Sequence, residues 1–192
     1  MLDGGVPPGS IGCELNCTII GVDMGTFMCP NQCEKLCRVY LPDYVTNKLT
    51  WAGNLTDSDK ALIKKYPLDA LKVYQSKKMA EESTKRLFKD NFRNDESDAF
   101  RHFVWSGLLT KKLGRERAQL FLDSHESSPN SPPQEVAMDM FNNSNGISMT
   151  EELIKNKKFS KENLEKEALD ALDKGKLKVL HKSGKLPKWK GD

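Results

Sequence analysis

"NDESDAFRHFVWSGLLTKKLG", residues 94–114, decides the fold. Apolar side chains recur at helical spacing, from Phe100, Phe103 and Val104 to Leu108 and Leu113. That pattern predicts a helix with one face turned to a core. Asn94 and Asp95 are candidate N-caps, and Gly114 can end the helix. Three residues do not suit a plain apolar stripe: Asp98, Arg101 and His102.

The same helical reading extends outward. "TDSDKALIKKY" places Thr56 as N-cap with Asp59 three residues later, a capping-box arrangement. Pro67 suits the first position of the next helix, and "LDALKVYQSKKMAEESTKRLFKDNF" is a long run of good helix formers. "RERAQLFLDSHE" is a further helix, cut by "SSPNSPP". Pro133 can begin another, which "NSNG" is expected to end at Gly146. Two shorter helices near 149–157 and 160–174 read as surface elements, and the tail from Lys174 with its seven lysines reads as a solvated terminus. No alternating pattern follows residue 50 and no internal repeat is evident, so the fold class is all-α.

Composition sets the frame. The 192 residues are 38% hydrophobic and 30% charged, enough for one domain with an appendage. No apolar run approaches the ~20 residues of a membrane span. The net charge of +3 gives no case for a nucleic-acid partner. The start, "MLDGGVPPGSIGCE", lacks the regions of a signal peptide. All five cysteines fall between Cys13 and Cys37, spaced C-x3-C and then C-x3-C-x3-C. Two disulfides with one thiol left over are expected there, with zinc or reduced cysteines as the alternatives. Residues 1–45 are therefore taken as a Cys-rich, irregular N-terminal joint, and 46–192 as the helical domain.

Chemistry comes from reading three helices together. Asp98 and His102 are i,i+4 neighbours, so the carboxylate can hold the imidazole tautomer, and Arg101 beside them suits phosphate or carboxylate. Alone, that helix reads as a face with an ion pair. His125 shares a face with Ala118, Phe121 and Leu122 and should point inward, with Glu126 following at the helix end. In "PQEVAMDMFNNSNG", Glu135, Asp139 and Asn142 lie on one stripe, and Asn143 is i,i+4 from Asp139. If the stripes converge, the centre has the parts for hydrolysis: a histidine as nucleophile or base, an acid to orient it, and Arg101 for negative charge. The set His102, His125 and Asp139 can instead bind a divalent metal.

The ordered pieces D-A-F-R-H (98–102), W-x-x-L-x-T (105–110), S-H-E (124–126) and M-D-M-F-N-N-S-N-G (138–146) resemble a family of bacterial toxin domains found at the C-termini of secreted polymorphic toxins and related effectors. The resemblance covers about a quarter of the chain. One departure is Ser124, where the pattern carries alanine. A fainter likeness, carried by "AFRHF" and "MDMFNNSNG", is to VanZ-like and lipid-phosphatase proteins, which are membrane helical proteins.

The toxin resemblance implies an antibacterial effector. Such a protein is carried by a larger secretion-associated protein, is delivered into a rival bacterium and is bound by a cognate immunity protein. The lipid-phosphatase likeness implies hydrolysis of a phosphoester in an envelope lipid or lipid-linked precursor, which points to the periplasm. Residue by residue, the expected catalytic groups are Arg101, His102, His125, Glu126 and Asp139, with Asp98, Asn142 and Asn143 binding substrate. The competing readings are a metal-dependent hydrolase of peptidoglycan and a non-enzymatic adaptor whose Cys-rich segment docks a partner.

Overall fold

A computed structural model describes residues 55–89, 93–182 and 186–187. The Cys-rich segment 1–45, with its disulfide, zinc and docking readings, lies outside the described residues. The described residues form six helices and no strand: α1 (Asp57–Lys65), α2 (Pro67–Phe88), α3 (Glu96–Leu113), α4 (Arg115–Glu126), α5 (Pro133–Lys155) and α6 (Lys161–Asp173). The all-α expectation holds. None of these helices is long and apolar enough to cross a membrane.

The chain divides into two compact units. The first comprises Met1–Leu55 and Lys60–Leu71; its described part carries the start of α2, where Ala70 N–H bonds the Tyr66 carbonyl (3.0 Å). The second comprises Thr56–Asp59 and Lys72–Asp192 and contains every candidate site residue.

In the second unit α3 is the central element. It packs most extensively on α5, and also on α6 and α4. Fourteen of its 18 residues are buried, so it is sheathed on nearly all sides and has no solvent face of the usual amphipathic kind. Asp98 and His102 are among the buried residues, which removes the reading of a surface ion pair. Phe100, Val104 and Leu109 are fully enclosed, with Ile147 of α5 and Leu164 of α6.

The starts and stops follow local chemistry. Thr56 N–H bonds Asp59 Oδ2 and Asp59 N–H bonds Thr56 Oγ1, both at 3.0 Å, which is a reciprocal capping box. Asp95 caps α3 through the backbone N–H groups of Ser97 and Asp98, and Gly114 closes it at φ 78°.

Gly146 does not end its helix: α5 continues through it to Lys155, and the separate helix expected near 149–157 is its last turns. The reason is packing. A methyl group on Gly146 would overlap the Phe103 carbonyl oxygen and Ser106 Oγ, so glycine is what lets α5 press onto α3. The helical cost of an interior glycine, about 1 kcal/mol, is offset by the apolar contact this approach allows. The last elements are not surface decoration either. Thr150 and Leu153 are buried on α5, and Leu164, Glu165 and Ala168 on α6. Glu165 is held by Ser83, Arg86 and Lys161. Part of the lysine-rich tail also docks: both backbone groups of Lys178 bond the Asn142 side chain.

Candidate functional site

The site is assembled from the start of α3. Asn94 sits just before the cap at φ 67°, a left-handed conformation that asparagine tolerates. There its N–H donates to Asp98 Oδ2 at 2.6 Å. Arg101, one turn on, pairs with Asp98 Oδ1. His102 brings Nε2 within 3.4 Å of the same oxygen. Thus one carboxylate, fixed by the backbone, holds both the guanidinium and the imidazole.

Two further helices close on His102. Glu126, the last residue of α4, brings Oε1 to 3.6 Å from His102 Nδ1. Asp139 of α5 brings Oδ1 to 3.5 Å from His102 Nε2. Asn143, one turn after Asp139, donates from Nδ2 to Glu126 Oε1 at 3.4 Å. The imidazole thus lies among three carboxylates from three helices. It is 6% exposed.

Burial and charge set the protonation pattern. Burial alone would raise Asp98, but the His102 hydrogen bond, Arg101 and the Asn94 N–H outweigh it and hold Asp98 below the ordinary aspartate range. Burial, with the Asp98 charge adding, pushes Glu126 up to about 7 against the Asn143 hydrogen bond and the charges of Lys77 and Arg101. Burial, with Glu126 and Asp98 nearby, likewise pushes Asp139 up to about 7. One carboxylate is therefore firmly ionised, and two change charge near neutrality.

The structure brings together Asp98, Arg101, His102, Glu126, Asp139 and Asn143. His125 stands to one side. Its ring meets Trp105 edge-on, with centroids 5.0 Å apart, while Trp105 lies 6.1 Å from the His102 ring. Burial, with the positive charges of Lys77 and Arg101 and the His102 ring nearby, pushes His125 down to about 3, so it is neutral across the ordinary pH range. His125, expected among the catalytic groups, packs against Trp105 apart from the three carboxylates, and in the metal-ligand set Asp98 takes its place. Ligand atoms of Asp98, His102 and Asp139 lie within 4.8 Å of one another. Asn142, expected to bind substrate, is 0% exposed and spends its amide on the Lys178 backbone, facing away from that work.

Two contributors were missed in the sequence. Lys77 on α2 reaches over the Trp105 ring, 5.7 Å from its centroid, and burial lowers its pKa. It stands in a helix rich in lysine, so nothing in its spacing distinguished it. Asp59 accepts a hydrogen bond from Ser124 Oγ at 2.7 Å, and Thr56 Oγ1 bonds the Ser124 carbonyl. These bonds fix the end of α4 that presents Glu126. Serine at 124 is thereby explained as an anchor.

The profile of the family described as "Domain of unknown function (DUF6973)" matches residues 60–176, more than half of the chain, including His102 and the carboxylates around it. The chain belongs to this family. No curated protein and no solved structure matches it.

Proposed function

We propose that the chain is a hydrolase of a phosphoester in an envelope lipid or lipid-linked precursor, acting as an antibacterial effector domain. The observation that carries the reading is the placement of His102 among Asp98, Glu126 and Asp139, all at 3.4–3.6 Å, in a buried centre with Arg101. Structural helices rarely gather three acids and a histidine at one point, since each buried carboxylate costs desolvation. The arrangement suits hydrolysis. A water where His102 Nε2 meets Asp98 and Asp139 gives its proton to Asp139, whose pKa lies near neutrality, as its oxygen attacks phosphorus. Arg101 and Lys77 draw the phosphoryl charge. As the bond from phosphorus to the leaving oxygen breaks, Asp139 passes that proton to it, while Glu126 orients His102 from the Nδ1 side. Delivery by a larger secreted protein, a periplasmic target and a cognate immunity protein belong to the same proposal. They rest on the toxin resemblance of residues 98–146.

The test is expression in a bacterial host, with and without a secretory leader, together with phosphate release from vesicles carrying a lipid-linked pyrophosphate. Wild type is expected to be toxic when exported and to release phosphate. His102→Ala is expected to lose both activities, by more than about 1,000-fold in rate if it serves the chemical step. Wild type harmless in both compartments sinks the effector reading, and undiminished His102→Ala sinks the site.

A further inference from the structure

The three ligand atoms at the centre of the site have a spacing that hydrogen bonding alone does not require. His102 Nε2 lies 3.4 Å from Asp98 Oδ1 and 3.5 Å from Asp139 Oδ1. A tetrahedral cation with bonds of about 2.0–2.2 Å sets its ligands about 3.3–3.6 Å apart, which both histidine–carboxylate separations match, and the two carboxylates lie within 4.8 Å of each other. Asp139 Oδ1 is buried and accepts no hydrogen bond. Asn143, 1% exposed and one turn from Asp139, has its amide nitrogen in the site and its Oδ1 without a partner. A buried orphan acceptor of this kind awaits a donor or a bound water. On the far side of the imidazole, Nδ1 is buried without a hydrogen-bond partner and Glu126 Oε1 stands 3.6 Å from it, on the side from which a carboxylate orients a metal-bound histidine.

We propose that Asp98, His102 and Asp139 form a binding site for a divalent transition-metal ion of the zinc class, with Glu126 and Asn143 steering the ligands from behind. An imidazole with two carboxylates selects such an ion over calcium or magnesium, which favour all-oxygen sites. Arg101 pairs with the same Asp98 Oδ1, so the ion would take that oxygen's second lone pair, and Asn94 N–H holds Oδ2. The helical spacing explains the set: Asp98 and His102 are one turn apart on α3, and α5 lays Asp139 against them. What the ion does rests on the hydrolase reading, where it would supply Lewis-acid activation of water. Whether it binds does not rest on it.

The test uses the full chain and cobalt(II) as a spectroscopic probe, with zinc(II) in calorimetry. The five cysteines can take metal too, so the readout is the difference between wild type and variants that leave them intact. Wild type is expected to bind one more ion than Asp98→Asn or Asp139→Asn, with d–d bands that lack thiolate charge transfer. Glu126→Gln should weaken that ion by roughly 10- to 100-fold. His125→Gln should leave its affinity unchanged. Retained near-ultraviolet circular dichroism in the two isosteric Asn variants separates lost ligation from lost folding. Equal stoichiometry and identical spectra in wild type and both Asn variants overturn the site. Binding without hydrolysis would leave the site standing and remove the hydrolase reading; chelator-insensitive hydrolysis without binding would do the reverse.

Discussion

At the scale of single residues, His125 and His102 show how alike two histidines look in a sequence and how differently they are placed. Both fall at inward positions. Whether an inward histidine meets carboxylates or an indole edge depends on the facing helices, which helical spacing alone does not specify. Asp98, Arg101 and His102 were legible because polar groups interrupted an apolar run. Lys77 was not, because a long side chain can carry a charge into a site from a helix that otherwise looks solvated. His125 also allows a clean test. Its pKa falls from 6.5 to about 3 on folding, so the unfolded chain takes the proton first. The stability it contributes is present above its unfolded pKa and is lost as pH falls toward 3. Glu126 and Asp139, raised on folding, bend the profile the opposite way, gaining stability as pH falls through about 7. The measurement is therefore the difference between wild type and His125→Gln in urea unfolding, in the presence of a chelator. Wild type is expected to lose about 1.4 kcal/mol per pH unit relative to the variant from pH about 6 down to about 4. A flat difference would mean that the ring is protonated in the folded state.

At the scale of elements, caps and proline starts were readable because they depend on neighbours in sequence. Thr56–Asp59, Asp95 and Gly114 lie where local hydrogen bonding places them, and Pro67 opens α2, where a missing N–H costs nothing. The stop expected at Gly146 failed because the glycine answers to a tertiary contact, the approach of α5 to α3. That distinction has a measurable sign. Replacing an exposed helical glycine by alanine stabilises by about 0.5–1 kcal/mol. At Gly146 the methyl meets a backbone carbonyl that cannot move alone, so Gly146→Ala should destabilise by about 2–3 kcal/mol. At Gly107 the nearest atoms are the ends of side chains, Thr150 Oγ1 at 2.6 Å and Leu164 Cδ2 at 2.7 Å. Those can shift, so Gly107→Ala should cost less. Chemical denaturation of the two variants gives the order. If Gly146→Ala matches or exceeds wild-type stability, the close approach of the two helices is not real.

At the scale of the whole second unit, the centre depends on what holds the start of α3 in place. Asn94 is the junction. Its N–H fixes Asp98, its side chain donates to Glu135 Oε1 at 2.6 Å, and its carbonyl accepts from the N–H groups of Leu180 and His181 at 2.9 and 3.0 Å. The tail therefore closes over the α3 start and is pinned again where Asn142 pairs with both backbone groups of Lys178, at 2.9 and 3.0 Å. Seven lysines hid this in the sequence, because docking here uses backbone groups, which side-chain composition does not reveal. Asn142→Leu keeps the volume and removes the bonds. The two Lys178 backbone groups must then find water, at a cost of about 1–3 kcal/mol, and the strand of tail should open locally while the helices stay folded. Hydrogen exchange at the Lys178 and Leu180 amides is expected to quicken at least about tenfold, since 1.4 kcal/mol of lost protection is a factor of ten. Trypsin should gain a cut after Lys178. Exchange that quickens equally across α3 and α5 would show instead that the asparagine supports the core, and unchanged exchange would show that the tail does not need it.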